Sequence, residues 1–333
     1  MLNEIVLVGG LIFVFTLLYL SFLLPSKMIG NEEDNDKENT STKTVGRGGG
    51  GAGDGVLREL ALTNGQINRM NKEEVRQKLE ELHLETRGVK EVLKKRLKSY
   101  YKKEKLYPDV KLSPTPERYD FLLVIDFEAT CMEENPPDFQ HEIIEFPILL
   151  VNTETLIVED QFHSYCRPTI NPILTPFCTK LTGITQKMVD RAPEFPQVLE
   201  DVLDWMSSKG YGMGHSRYAV ATDGPWDMCR FLYQQCLHCG IPYPRPFRKW
   251  INVKKHFANF YQTKGGTKLQ EMLASLGLKF EGKPHSGRDD AVNIARIAGR
   301  LIQDGCELRV NECLNNGRVE PVVPPRAKLS VSN

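Results

Sequence analysis

Hydrophobic positions fall into three patterns along the chain, and each predicts a different kind of segment. Residues 5–24 form an uninterrupted apolar run that is long enough to cross a bilayer as a helix. Residues 64–107 have apolar positions at helical spacing, whereas residues 118–306 alternate strand-like apolar runs with amphipathic stretches. The pattern therefore predicts a candidate membrane segment, a small helical module and an α/β domain.

The helical module is predicted to be a hairpin of two helices. Asn71 followed by Glu74 matches an N-terminal capping box, and the apolar residues after it recur at helical spacing. After a turn, residues 89–106 have a second apolar stripe, with lysines on most of the remaining surface.

The larger domain is predicted to contain a mixed sheet flanked by helices. Strands are expected near 121–128, 143–152, 156–166 and 218–222, and helices near 196–208, 225–238, 267–276 and 289–303. The proline-rich segment 241–248 is expected to be a loop.

Composition adds the domain boundaries. Glycines crowd into RGGGGAGDG, which is typical of a flexible linker, and the C-terminal residues are rich in proline and polar side chains. The predicted organisation is an apolar segment (1–27), a disordered glycine-rich linker (28–63), the helical module (64–107), the α/β domain (118–306) and a disordered tail (314–333).

The charges are segregated along the chain. The whole chain has 43 basic and 43 acidic side chains, which argues against a uniformly basic nucleic-acid coat. Residues 64–107 nevertheless have 13 Lys and Arg against 7 Asp and Glu. This excess favours phosphate binding, although a solvated helical hairpin is the simpler alternative. The candidate residues for this phosphate contact are Lys90, Lys94, Lys95, Lys98 and Lys102.

The apolar run 5–24 allows two interpretations. Lys27 on its C-terminal side favours a membrane anchor with the rest of the chain in the cytosol. The alternative is a different or wrongly assigned first exon on a chain that has no anchor.

Carboxylates lie where a buried strand should have none. Asp126 and Glu128 are two positions apart in an apolar run, so on a strand both would point to one face. Buried like charges need a cation between them, and oxygen ligands suit Mg²⁺ or Mn²⁺. Asp223 ends another predicted strand, and Asp290 lies at a helix start five residues after His285. Each residue alone could be a helix cap or a surface side chain; their joint occurrence favours a metal site.

Two known families resemble these patterns. The basic hairpin resembles the SAP domain, a nucleic-acid-binding module, at Leu79, Leu82, Leu84, Thr86, Gly88, Lys90, Leu93, Arg96 and Leu97. The α/β domain resembles the DnaQ-like (DEDDh) 3′→5′ exonucleases, which have a ribonuclease-H-like fold, at Asp126, Glu128, Asp223, His285 and Asp290. The strings DFEATC, HEIIEFP, LTGIT, TDGPWDM, NIARIA and QDGCELR are similar to one branch, the histone-mRNA 3′-end exoribonuclease (enhanced-RNA-interference exonuclease) family.

The resemblance implies a two-metal phosphodiesterase. It implies Asp126, Glu128, Asp223 and Asp290 as ligands of two Mg²⁺ ions, which Mn²⁺ can replace, and Glu128 and His285 as catalytic residues. We hypothesise that Asp126 bridges the ions, that Asp223 completes one site, and that His285 accepts the proton of the attacking water. The implied nucleotide-binding residues are Phe127, Glu128, Ala129, Trp226 and His285, with a core tryptophan as the alternative at Trp226.

The expected activity is trimming of 3′ overhangs on RNA with a duplex stem, releasing nucleoside 5′-monophosphates. By resemblance, the candidate substrates are histone mRNA stem-loops, small interfering RNA duplexes and the 3′ end of 5.8S ribosomal RNA. A histone stem-loop-binding protein and ribosomes are candidate partners, and cytoplasm and nucleus, including the nucleolus, are the expected locations. A 3′→5′ DNA exonuclease and a catalytically inert nucleic-acid-binding scaffold remain as alternatives.

Overall fold

The computed structural model describes residues 52–106, 119–214, 216–263 and 268–322. Within these ranges, no helix combines the length and the apolar character needed to cross a membrane. The apolar run 5–24, most of the predicted linker and the last residues of the predicted tail lie outside them.

Three helices form the N-terminal module around a core of its own. They are α1 (Ala52–Arg69), α2 (Lys72–Glu81) and α3 (Lys90–Leu106). The predicted capping box is confirmed: the Glu74 N–H donates to the Asn71 side chain, and the Asn71 N–H donates to the Glu74 carboxylate. The buried core of the module consists of Ile67, Val75, Leu79, Leu93 and Leu97.

Helix α1 corrects the predicted linker. We expected residues 28–63 to be disordered, but the chain is helical from Ala52 onward. Leu60 and Ile67 lie two helical turns apart and are both buried, so an apolar stripe holds α1 in the module. The sequence pattern missed this stripe because Gly55 and Gly65 lower the helix propensity around it.

The second domain is built on one mixed sheet. The strands of the described chain are β1 (Phe121–Ile125), β2 (Glu128–Ala129), β3 (Ile143–Asn152), β4 (Val158–Tyr165), β5 (Tyr218–Thr222), β6 (Lys249–Asn252), β7 (Glu312–Asn315) and β8 (Arg318–Pro321). They join in the order β2-β3-β1-β5-β6-β7-β8, with β4 paired to β3. Strand β1 is antiparallel to β3 and parallel to β5, and β5 is parallel to β6, as a mixed sheet requires.

Helices cover both faces of the sheet. They are α4 (Pro176–Thr182), α5 (Gln186–Asp190), α6 (Phe195–Ser208), α7 (Tyr233–His238), α8 (Val253–Tyr261), α9 (Leu269–Ser275) and α10 (Gly287–Gln303), with a π-helical segment (Asp227–Leu232) before α7 and a short 3₁₀ segment at Arg245–Phe247. Along β1, Leu122 and Val124 enter the core under α8, α9 and α10, while Leu123 and Ile125 enter the core under α6 and α7. This alternation of side chains places α10 directly on β1.

Two predicted elements differ from the structure. The strand expected at 121–128 stops at Ile125, because the Phe127 N–H leaves the ladder and donates to Asp227 Oδ1 at 2.9 Å. Residues 314–321 of the predicted disordered tail belong to the β7–β8 hairpin. Glu312 holds this hairpin on the sheet, since its buried carboxylate accepts hydrogen bonds from Trp250 Nε1 and Asn252 Nδ2, both at 2.9 Å.

Candidate active site

Three carboxylates converge where β1 ends. Asp126 follows β1, Glu128 begins β2, and Asp290 lies in the first turn of α10. One oxygen atom of each side chain lies within 4.8 Å of the others. These residues are three of the four carboxylates that the sequence predicted as metal ligands.

Close backbone packing brings Asp290 to the other two. A Cβ atom at Gly287 would lie 2.4 Å from the Asp126 carbonyl oxygen, so only glycine lets the start of α10 approach the end of β1 this closely. The Gly287 N–H donates to Glu145 Oε2 at 2.9 Å, and Glu145 Oε1 contacts His163 Nε2 at 2.8 Å. Glu145 is therefore a buried carboxylate that anchors α10, a role that the sequence analysis did not assign.

Burial raises the pKa of each clustered carboxyl group. It raises the pKa of Glu128 to about 9 and the pKa of Asp290 to about 7, and neighbouring negative charges add to both shifts. The pKa of Asp126 is also raised, first by burial and then by the charges of Asp227, Glu128 and Asp290. Three full negative charges at neutral pH therefore require a neutralising cation. Clustered carboxylate oxygens are ligands for a hard divalent cation, so the residues fit the expected metal dependence.

The fourth predicted ligand, Asp223, lies beside a lysine. Its Oδ2 contacts Lys254 Nζ at 2.8 Å, and burial raises its pKa while Lys254 lowers it. Its Oδ1 is buried without a hydrogen-bond partner among the described residues. The charge of Asp223 contributes to the raised pKa values of Asp126 and Asp290, so the side chain lies near the cluster, but Lys254 neutralises part of that charge.

Asp227, which the sequence analysis did not select, raises the pKa of Asp126 more than Asp223 does. Among the neighbouring charges that raise the pKa of Asp126, Asp227 has the largest effect and Asp223 the smallest. Asp227 is buried at the start of the π-helical segment, and burial raises its own pKa to about 7. The available signal was a carboxylate just ahead of the apolar, helix-forming residues that follow TDGPW.

His285 is exposed next to the cluster. Its backbone N–H donates to Asp290 Oδ2 at 2.8 Å, which leaves both ring nitrogens outside this bond. Its φ angle of 63° is in the left-handed region, an uncommon conformation for a side chain with a Cβ. The loop therefore holds the His285 backbone against Asp290, and the imidazole forms no hydrogen bond with the described residues.

The predicted nucleotide-binding residues differ in exposure. Trp226 is 55% exposed, and the Arg230 guanidinium lies 4.7 Å from its ring centroid, so Trp226 is not a core tryptophan. The Phe127 ring is buried and packs edge-on against Phe146, with centroids 4.5 Å apart. Ala129 is also buried, and its carbonyl oxygen lies 3.8 Å from Cys178 Sγ.

The five candidate RNA-binding lysines have unequal surroundings. Lys102 is exposed, whereas the other four are partly buried. Lys94 Nζ and Lys98 Nζ both donate to Asn68, at 2.6 Å. Lys95 Nζ lies 4.4 Å from the centroid of the Phe260 ring in α8, so this lysine faces the larger domain.

Family comparisons agree with this geometry. The family model described as Exonuclease matches residues 123–298, which is more than half of the chain and includes all the clustered carboxylates. The chain belongs to this exonuclease family. A second model, the SAP domain, matches residues 66–102 of the exonuclease.

Relatives of the exonuclease cover most of its length. A protein named 3′-5′ exoribonuclease 1 from Homo sapiens is 55% identical over 271 residues, covering 81% of this chain and 77% of the relative. A solved structure described as 3′-end specific recognition of histone mRNA stem-loop by 3′-exonuclease is 54% identical, has a TM-score of 0.62, and covers 80% of this chain and 92% of that one. The nuclease domain of 3′hExo, described as a DEDDh family member bound to rAMP, is 55% identical with a TM-score of 0.58, covering 59% of this chain and 98% of that domain.

Proposed function

We propose that this exonuclease is a divalent-metal-dependent 3′→5′ exoribonuclease that trims single-stranded 3′ ends of RNA with a duplex stem. The observation that carries the proposal is the convergence of Asp126, Glu128 and Asp290 within 4.8 Å, inside a domain of the exonuclease family. The names of the relatives that cover most of the chain support RNA as the substrate and 3′→5′ as the direction.

Mg²⁺ is the proposed metal. Asp126, Glu128 and Asp290 would hold one ion, and Asp126 would share a second ion with either Asp223 or Asp227. When bound, the ions would neutralise the carboxylates and polarise the scissile phosphate and the attacking water. Asp227 is the better candidate for the second ion, because Lys254 forms an ion pair with Asp223, whereas Asp227 forms none within the described part of the chain.

The hydrolysis needs a group that accepts a proton. Water attacks the phosphorus atom of the last phosphodiester bond, the bond from phosphorus to the 3′ oxygen breaks, and the terminal nucleotide leaves as a nucleoside 5′-monophosphate. His285 accepts the proton of the attacking water, since an imidazole can act as a general base and this exposed residue is hydrogen-bonded to Asp290 through its backbone. The departing 3′ oxygen takes a proton from solvent.

The terminal nucleotide would rest against Trp226. An exposed indole stacks on any base, which suits an enzyme that removes successive nucleotides of different sequence. Phe127 would support this pocket from the core, and the backbone of Glu128 and Ala129 would contact the nucleotide.

RNA with a stem and a 3′ overhang is the proposed substrate class. The basic SAP helix α3 supplies cationic side chains for the duplex, while the carboxylate cluster acts on the tail. Histone mRNA stem-loops are the first candidate, because the structure of a relative is described as 3′-end specific recognition of one. Small interfering RNA duplexes and the 3′ end of 5.8S ribosomal RNA are further candidates, and a stem-loop-binding protein and ribosomes are candidate partners.

One trimming assay tests this proposal. End-labelled RNA and DNA of one stem-loop sequence are incubated with the full chain in Mg²⁺, in Mn²⁺ and in EDTA. We expect metal-dependent shortening of RNA from the 3′ end and nucleoside 5′-monophosphate as the product. Faster trimming of DNA would identify a DNA exonuclease, and binding without trimming would identify an inert scaffold.

Two variants connect the activity to the site. Asp126→Asn and His285→Ala should each abolish most trimming, whereas Asp201→Asn, an exposed carboxylate on α6, should trim at the wild-type rate. Wild-type trimming by Asp126→Asn would refute the metal assignment.

A further inference from the structure

The SAP module and the nuclease domain are joined by a buried ion pair. Arg96 in α3 donates two hydrogen bonds to Asp304, from Nε to Oδ1 at 2.7 Å and from Nη2 to Oδ2 at 2.9 Å. The two side chains are only 4% and 3% exposed. A bidentate pair with this burial fixes both distance and orientation, unlike a surface ion pair.

Further hydrogen bonds satisfy the remaining polar groups of the pair. Tyr261 Oη donates to Asp304 Oδ2 at 2.8 Å. Arg96 Nη1 donates to the carbonyl oxygens of Glu85 and Arg87, at 2.6 and 3.0 Å, so the same guanidinium also closes the turn before α3. A buried pair that is satisfied in this way has one low-energy arrangement, which favours a unique docked geometry.

Backbone contacts surround this ion pair. The Val89 N–H donates to the Ser275 carbonyl oxygen at 2.9 Å, and Val92 is buried in the core that lies under α8, α9 and α10. A Cβ atom at Gly277 would lie 2.7 Å from the Arg87 Cβ, so the two backbones approach as closely as glycine allows. The SAP module is therefore packed against the nuclease domain along α3.

Two helices run from this interface to the active site. Helix α10 has Asp290 in its first turn, and Asp304 caps its C-terminal end. The intervening residues correspond to about 21 Å of helix. Helix α8 has Lys254, the partner of Asp223, in its first turn and Tyr261 as its last residue. The anchor of the SAP module is thus connected to the carboxylate cluster by regular, packed helices.

We infer that Arg96 and Asp304 are positioning residues that hold the duplex-binding helix at a fixed distance from the active site. This inference rests on the proposed function. A fixed distance makes the enzyme specific for RNA whose single-stranded tail spans the gap between stem and site, and it stops trimming when the tail becomes too short. An RNA bound at both places then loses less entropy than it would with a freely tethered module.

The decisive variant is Asp304→Asn, with Glu307→Gln as its control. The control removes an exposed carboxylate three residues further along, which pairs with Arg309 at the surface. Each protein is given a stem-loop RNA with a 3′ tail and an unstructured RNA of the same length. We expect Asp304→Asn to raise KM for the tailed stem-loop about tenfold. Its trimming should also end at several positions instead of one, while kcat and the rate on unstructured RNA remain at wild-type values.

Other results would overturn the inference. A sharp end point and an unchanged KM for Asp304→Asn would mean that docking does not set the distance. An equal loss on both RNAs would mean that the pair supports the nuclease fold alone. Wild-type trimming of unstructured RNA reports the proposed function separately, so its failure is distinguishable from failure of the docking inference.

A milder variant tests the inference even if Asp304→Asn does not fold. Tyr261→Phe removes one hydrogen bond to Asp304 and keeps the ring in the core. We expect a smaller shift in the same direction, with an unchanged circular dichroism spectrum. If both variants are folded and neither broadens the end point, the inference is wrong.

Discussion

Gly287 and Asp126 lie in direct backbone contact, although they belong to different elements and are far apart in the chain. Any Cβ at position 287 would lie 2.4 Å from the Asp126 carbonyl oxygen and 3.2 Å from Glu145 Oε2. This contact sets how closely Asp290 approaches Asp126 and Glu128, because Gly287 begins the helix that carries Asp290.

Gly287→Ala should therefore separate the carboxylates. We expect α10 to move away from β1 and kcat to fall about 100-fold, the cost of displacing a catalytic group by an ångström. Steady-state trimming across a Mg²⁺ titration measures the effect. Gly299→Ala is the matched control on the same helix, since its Cβ would lie 3.8 Å from Leu156 Cβ, an ordinary contact. Equal activities of the two variants would contradict this account.

Asp227→Asn and Asp223→Asn distinguish the two candidates for the fourth carboxylate. Among the neighbouring carboxylates, Asp227 raises the pKa of Asp126 most, while Asp223 is paired with Lys254. We expect Asp227→Asn to reduce kcat at least about 100-fold. Asp223→Asn should reduce kcat about tenfold or less, as expected for a residue that supports a metal site without binding the metal. Mg²⁺ dependence of trimming is measured for both, and the reverse order of effects would assign the second metal to Asp223.

The metal-free protein should lose stability as pH rises. The pKa of Asp290 is raised to about 7 and that of Glu128 to about 9, so the folded state binds more protons than the unfolded state above about pH 4. The stability that these two groups contribute is greatest below about pH 4. It decreases as pH rises to the pKa of Asp290, about 7, and the remainder is lost as pH rises to the pKa of Glu128, about 9. Thermal unfolding in EDTA between pH 5 and 9 tests this.

Mg²⁺ should reverse that trend, because a cation stabilises the charged carboxylates most at high pH. Glu128→Gln in EDTA provides the control, since it removes the group with the higher of these two pKa values. Its melting temperature should therefore change little with pH above pH 7. A pH-independent melting temperature of the metal-free wild type would contradict the predicted clustering of charge.

Lys102→Ala should weaken RNA binding through loss of a phosphate contact. Lys102 is the exposed member of the five candidate lysines, whereas Lys95 faces Phe260. We expect the slope of log affinity against log salt to decrease in magnitude by about 1 for Lys102→Ala. Binding to a stem-loop RNA at several salt concentrations measures the slope, with Lys187→Ala, an exposed lysine on α5, as the control. Identical slopes for both variants would argue against contact between Lys102 and phosphate.

The sequence by itself determined the features that depend on near neighbours. The capping box of Asn71 and Glu74 is encoded within four residues, and the apolar face of α10 is encoded by helical spacing. The mixed sheet followed from alternating apolar runs, and Asp126 and Glu128 stood out because charges are rare in such runs.

Only the tertiary structure decided which distant groups meet. Asp227 lies near Asp126 because its carboxylate accepts a hydrogen bond from the Phe127 N–H just after β1, and the π-helical segment shares a buried core with β1. Arg96 meets Asp304 across 208 positions of the chain, a pairing that no local period can encode. Local hydrogen bonds and periodicity act over one or two turns, whereas these contacts depend on how whole helices and strands pack. That packing brings Asp290 to Asp126 and Glu128, and it fixes the position of the resulting site relative to the SAP module.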